Sequence, residues 1–221
     1  MTPPRLSLCG TNAVLMDMSQ GKFSLETQRR LWSMCREGGA LAKIQSVRHI
    51  QLGVNNVLVS FDPQEKHPSE LKELLVRAWS QAAPSAVKGK LLEVPVVYGM
   101  AEGSELETVA NNANMSIEET IALHTSVEYH VACIGSVPGF AYLVGLPDQL
   151  ATPRRTVPRT RVPKGAVGIG GPQTGVMPMD MPSGWNLIGM THLDLFDPQR
   201  DTPSLLSPGD RVRFISKSSL K

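Results

Sequence analysis

Between Gly135 and Gly209 the chain carries eleven of its 17 prolines and eleven of its 19 glycines. A helix interior loses a hydrogen bond and gains a clash at every proline, and each glycine there costs about 1 kcal/mol relative to alanine. So dense a mixture over so long a stretch excludes a helical bundle. It predicts short strands joined by tight turns, closed into a β-barrel or stacked as a sandwich. The centre of the stretch, PRRTVPRTRVPKGAVGIGGPQTG from Pro153 to Gly175, repeats proline at 153, 158 and 163. That is too stiff for a helix and too regular for a flexible linker. Asp210 to Ile215, DRVRFI, closes the region as an alternating strand after a Ser207-Pro208-Gly209 turn.

The first half is textured differently. Arg5 to Leu8 and Ala13 to Met18 read as strands, and Ser24 caps a helix whose Leu25, Trp32 and Cys35 share a side before Gly38-Gly39 stops it. Ser46 to Leu52 and Val57 to Phe61 flank a Gly53-Val54-Asn55-Asn56 turn as a hairpin. A second helix, Ser69 to Ala82, turns Leu71, Leu74, Leu75 and Trp79 to a core and ends before Pro84. With Leu91 to Tyr98 as a further strand, the order strand, helix, hairpin, helix, strand fits a ferredoxin-like α/β sandwich. The expected class is α+β, with an N-terminal α/β domain over residues 1–90 and a β-barrel over 91–221. Early in the second domain Ser116-Ile117-Glu118-Glu119 is a capping box that opens a helix bearing Ile117, Ile121 and His124, followed by a strand from Glu128 to Ile134.

At 221 residues, 41% hydrophobic, 19% charged and net charge +2, the composition excludes a disordered chain and a generally nucleic-acid-binding one. Cys9, Cys35 and Cys133 are odd in number and widely spaced, which reads as reduced, mostly buried thiols. No apolar run approaches the roughly 18 residues of a membrane span, and no signal-peptide core is seen at the N-terminus. A cytoplasmic location is expected.

The small net charge hides a local asymmetry. No Asp or Glu lies between Gln149 and Met179, where Arg154, Arg155, Arg159, Arg161 and Lys164 are gathered. Guanidinium groups on a stiff backbone suit a carboxylate or phosphate, and equally a solvated loop face. Gly165, Gly168, Gly170 and Gly171 suggest phosphate cradling or strand corners. No Walker A or GxGxxG pattern is present, and Pro172 removes one amide. His124, on an apolar helix face, is either a buried hydrogen-bonded core residue or a base or ligand. Phe140 and Tyr142 after the Pro138-Gly139 turn, and Trp185 after Pro182-Ser183-Gly184, either wall a pocket or plug a barrel end. No self-sufficient catalytic set and no metal-ligand spacing is present.

Taken together, LHTSVEYHVACIGSVPGFAYLVGLPDQLATPRRTVPRTRVPKGAVGIGGPQTG and MPSGWNLIGMTHLDLFDPQRDTPSLLSPGDRVRFI resemble the allophanate hydrolase subunit 1 or KipI-like family, and QRRLW and Val94-Pro95-Val96-Val97-Tyr98-Gly99 extend the resemblance over nearly the whole chain. The resemblance implies a C-terminal cyclophilin-like β-barrel. It also implies one cytoplasmic component of a three-part 5-oxoprolinase assembly. Its partners would be a C-type component, similar to allophanate hydrolase subunit 2, and an A-type component. Together they would hydrolyse 5-oxo-L-proline to L-glutamate with consumption of ATP. Two other roles within the family stay open: inhibition of a sensor histidine kinase, and half of a biotin-dependent urea carboxyltransferase.

Family elements fall on His124-Thr125, Pro138-Gly139-Phe140, Pro153-Arg154-Arg155, Pro158-Arg159, the run Val162 to Ile169, and Gln173-Thr174-Gly175. Met177-Pro178, Pro182-Ser183-Gly184-Trp185 and Ser136 depart from the family's YP, PGGW and aromatic. The expected site has Arg154, Arg155 and Arg159 holding an anion, with His124 and Gln173 orienting it or relaying protons. Pro138, Gly139, Phe140, Tyr142 and Trp185 shape the pocket, and a partner protein completes it. ATP is expected to bind to the assembly, and no metal site is expected in this chain.

Overall fold

The computed structural model describes residues 3–19, 21, 23–84, 89–99 and 103–218. It divides into two compact units, Met1–Val87 and Lys88–Lys221, each with its own core.

In the first unit β1 (Arg5–Cys9), β2 (Ala13–Asp17), β3 (Val47–Leu52) and β4 (Asn56–Phe61) form an antiparallel sheet in the order β1-β2-β4-β3. Strand alternation puts Val14 and Met16 of β2 opposite Val59 and Val57 of β4, and all four are buried with helices α1 (Leu25–Cys35) and α2 (Pro68–Gln81). Ser24 caps α1 by accepting from the Thr27 amide, and His67 caps α2. The buried stripe of α1 is Gln28, Leu31, Trp32 and Met34, whereas Leu25 and Cys35 are only half-buried. Hydropathy conceals the reason. The Gln28 side chain accepts from the Asn55 amide at 2.6 Å and donates to the Gly53 carbonyl at 3.1 Å, tying the predicted hairpin turn to the helix. A polar residue thus occupies a core position because its hydrogen bonds are met there.

Two strands precede α1, so the chain order is strand, strand, helix, strand, strand, helix, which does not confirm the ferredoxin-like arrangement. The strand read from sequence as its last member, β5 (Leu91–Tyr98), belongs to the second unit. There it pairs in parallel with β13 (Arg211–Ser216) from Leu91↔Arg211 to Val96↔Ser216. Alternation identifies a strand but not its partner, and so the strand order counted β5 with the first sheet although the expected boundary at residue 91 set it with the barrel. Pro95 is tolerated because the pairing of β5 with β12 (Asn186–Met190) touches only Val97 and Tyr98.

The second unit is the expected closed barrel. Its remaining strands are β6 (Tyr129–Ile134), β7 (Ala141–Val144), β9 (Ala166–Gly170) and β10 (Gln173–Val176), and the circular order is β10-β7-β6-β13-β5-β12-β9. A two-stranded ribbon of β8 (Arg159–Val162) and β11 (Met181–Ser183) completes the sheets. Val96, Val131, Leu143, Ile169 and Phe214 fill the barrel with α3 (Leu106–Ala113) and α4 (Ile117–Thr125) packed on it. The capping box of α4 is formed: Ser116 Oγ accepts from the Glu119 amide at 3.1 Å and Glu119 Oε2 from the Ser116 amide at 2.7 Å.

Candidate functional site

The turn after β6 is made by positive φ at Ser136 (67°) and Gly139 (79°), and it closes through the Phe140 amide on the Val137 carbonyl at 3.1 Å. A Cβ on Gly139 would lie 2.5 Å from Cβ of Phe196, so glycine is needed there for space as well as for conformation. The turn delivers Phe140 into a cluster of aromatic edges. Phe140 meets Tyr142 at 5.0 Å and Trp185 at 5.4 Å between centroids, both near perpendicular. Pro138 is exposed on the turn's outer side.

The glycines of the basic segment serve that cluster. A Cβ on Gly170 would stand 2.6 Å from Cε2 and Nε1 of Trp185, and one on Gly175 3.3 Å from Cζ of Phe140 and from Cζ3 of Trp185. Gly168, Gly170 and Gly175 thus form the slot that receives the indole, whereas Gly165 packs against Thr191 and Gly171 turns the corner with positive φ.

Beside the indole is a concavity of about 140 Å³ lined by Ser136, Tyr142, Arg154, Met181, Ser183 and Trp185, among others. The Arg154 guanidinium carbon lies 5.7 Å from the Trp185 ring centroid, a cation–π contact that fixes the exposed arginine at the rim.

The other four cations are not free, contrary to what their acid-free neighbourhood in the sequence suggested. Glu105, 7% exposed just before α3, accepts from Nη1 of Arg155 at 2.8 Å and from Nη2 of Arg159 through Oε1, and from the Leu187 amide at 2.9 Å through Oε2. Arg161 grips Asp180 with Nε and Nη2 at 2.9 and 2.6 Å. Lys164 pairs with Asp194 and gives its amide to Asp180 at 2.9 Å, a hydrogen bond that with Arg161 holds the Asp180 carboxyl below its usual range. Arg155 and Arg159 thus share one internal carboxylate, which offsets one of the two charges they were expected to present to a ligand. Glu105 was missed because nothing in the sequence links it to arginines about fifty residues downstream.

His124 also lies elsewhere than expected of a base. It is 1% exposed at the end of α4, stacked on Phe214 at 4.5 Å between centroids. Its Nδ1 is 2.7 Å from the Tyr98 hydroxyl and its Nε2 3.1 Å from Thr174 Oγ1. Thr174 spends its single proton on the Gly168 carbonyl at 3.0 Å. The imidazole therefore donates from Nε2, and Nδ1 accepts from Tyr98. Burial drives its pKa down to about 3, so it is a neutral core group. None of its partners lines the concavity. Gln173 begins β10 half-buried, paired across the tight turn with Gly170, and does not line the concavity either.

Of the expected site residues, the structure gathers Phe140, Tyr142, Arg154 and Trp185 around one opening and adds Ser136, Ser183 and Met181. Arg155 and Arg159 lie beside Glu105, and His124 and Gln173 stand apart. Among the described residues no group of three or more His, Cys, Asp or Glu side chains is placed to hold a metal ion, and no helix is long and apolar enough to cross a membrane.

Comparison with known proteins gives consistent likenesses. The family described as carboxyltransferase domain, subdomain C and D, matches residues 4–206. The B-type subunit of 5-oxoprolinase from Escherichia coli O157:H7 is 43% identical over 215 residues, covering 97% of each chain. That of Haemophilus influenzae (strain ATCC 51907 / DSM 11121 / KW20 / Rd) is 41% identical over 198 residues, 87% of this chain and 88% of the relative. The crystal structure of TTHA0988 superposes with a TM-score of 0.77 at 32% identity over 94% of this chain, which spans only 40% of that longer protein.

Proposed function

This chain belongs to the carboxyltransferase subdomain C and D family, and from that premise we propose that it is one component of an ATP-consuming 5-oxoprolinase assembly that opens 5-oxo-L-proline to L-glutamate. The names of its relatives support the assembly. The observation that carries the reading to a site is Arg154 held over Trp185 at the mouth of the small concavity. The substrate is a five-membered lactam bearing one carboxylate. Arg154 takes the carboxylate as a charge-assisted hydrogen-bonded pair, Tyr142 and Trp185 cover the ring, and the Ser136 and Ser183 hydroxyls reach its polar edge.

A lactam resists water because its nitrogen is a poor leaving group and its carbonyl a poor electrophile. Phosphoryl transfer from ATP to the lactam oxygen releases ADP and activates the carbon. One water then adds and the C–N bond breaks, with the nitrogen taking up a proton; a second water releases phosphate. The contribution of this chain is to hold the substrate's anionic end and exclude water from its ring face. Gly168, Gly170 and Gly175 are taken up by the indole and the run has no Walker A pattern, so ATP is assigned to the A-type and C-type components of the assembly, in the cytoplasm. Neither His124, neutral and enclosed, nor Gln173 is given a proton-transfer step. Arg155 and Arg159 position β8 through Glu105.

The test uses the three purified components. ATP-dependent release of glutamate from 5-oxoproline should require this chain, and full release by the other two alone would overturn the reading.

A further inference from the structure

Among the described strands of the first unit, β1 lies at a sheet edge with one neighbour, β2, which leaves the backbone N–H and C=O groups of its other edge without strand partners. The opposite edge, β3, exposes Arg48, His49 and Gln51, with Arg48 paired to Asp62 and Glu65. On β1 the one charge is Arg5, paired with Asp17 and 72% exposed, and the run Leu6 to Cys9 carries none.

Register places Leu6 opposite Met16 and Leu8 opposite Val14, so both leucines continue the face on which the core is built. Yet Leu8 is 47% exposed, and Val76 on α2 is 41% exposed. Leu6 and Val76 share a concavity of about 440 Å³ with Lys72, Glu73 and Arg77. Across Arg77 a second cleft of about 550 Å³ carries Arg36 and Lys43, with no carboxylate among its described lining. The ground beside the edge is apolar with a surplus of positive charge.

We propose that the β1 edge docks an extended segment of another protein chain by strand addition, its α2-side face combining apolar side chains with a carboxylate. Backbone hydrogen bonds to β1 supply the register. The apolar groups cover Leu6, Leu8 and Val76, and the carboxylate meets Lys72 and Arg77. Charge decides against a second copy of this chain, because β1 paired with its own mate would bring Lys72 and Arg77 of both copies to the same sheet face. The proposal is independent of the 5-oxoprolinase reading, since its residues lie in the other unit.

The probe is the acetylated peptide Thr-Val-Thr-Val-Thr-Glu-Thr, with a control bearing Lys for Glu, added to the full chain. Hydrogen–deuterium exchange at residues 5–9 reports docking. The Glu peptide should slow exchange there, and Leu8→Glu, which removes the apolar contact and repels the carboxylate, should abolish the effect. The double variant Lys72→Glu/Arg77→Glu should weaken the Glu peptide by about tenfold and favour the Lys peptide instead. Unchanged exchange at 5–9, or equal protection by both peptides, overturns the proposal. Protection without peptide that grows with protein concentration, together with a dimer mass, overturns it in favour of a second copy.

Discussion

Arg154 stands over the indole of Trp185, 5.7 Å from ring centroid to guanidinium carbon, and it is the one cation of the segment from Pro153 to Lys164 with no carboxylate partner among the described residues. Four neighbours of the same sign are paired with Glu105, Asp180 and Asp194, Arg155 and Arg159 sharing one carboxylate, so Arg154 is the cation beside the concavity that no carboxylate holds.

Arg154→Ala in the assembled enzyme should therefore lower kcat/KM for 5-oxoproline by about tenfold or more, equivalent to about 1.4 kcal/mol, chiefly through KM. Arg154→Lys should restore part of it. A loss below about threefold in steady-state assays would remove Arg154 from the substrate site.

Glu105→Gln tests the paired arginines. The carboxylate is buried and bonds three donors, whereas Arg155 and Arg159 keep 37% and 24% of their side-chain surface exposed. Solvent screening at the arginines softens the loss, and a cost of about 1–3 kcal/mol in urea unfolding is expected. Arg155→Ala, which leaves Arg159 on the carboxylate, should cost less. If Arg155→Ala instead abolishes turnover without loss of stability, the arginine acts on substrate and its assignment to Glu105 fails.

Gly170→Ala adds a methyl where 2.6 Å separates it from the Trp185 ring. The indole must move or the strand must yield, at about 1–3 kcal/mol. Because the indole also supports Arg154, near-UV circular dichroism and KM should change together. A stable Gly170→Ala chain with an unaltered aromatic spectrum would mean that the slot is loose.

The legible and illegible parts of the chain divide along physical lines. The barrel was readable because Pro and Gly act locally: each disfavours a helix interior where it stands. The capping box at Ser116 and the turn at Gly53 were readable for the same reason. The pairing of β5 with β13 joins residues 91–96 to 211–216, and no local signal encodes so distant a ladder. Phe140, Tyr142 and Trp185 were found as aromatics after tight turns, yet the purpose of the glycines became visible only with the indole among them. The arginine cluster looked unbalanced because sequence proximity was taken for spatial proximity, and its counter-charges come from other elements.

His124 gives the chain a pH dependence of known sign. Burial lowers its pKa from the ordinary value of 6.5 to about 3. In the unfolded chain the imidazole takes up a proton as pH falls through about 6.5, and in the folded chain it stays neutral down to about 3. The unfolded state binds more protons throughout that window, so this group's contribution to stability is complete above about pH 6.5 and falls by about 1.4 kcal/mol per pH unit on acidification. Urea unfolding between pH 6.5 and 5 reads the slope before most carboxylates titrate. His124→Gln, which preserves donor and acceptor capacity toward Thr174 and Tyr98, should flatten the profile by about one proton's worth. An unchanged slope would show that the imidazole is reached by solvent in the folded state, and that its enclosure by Tyr98, Thr174 and Phe214 is incomplete.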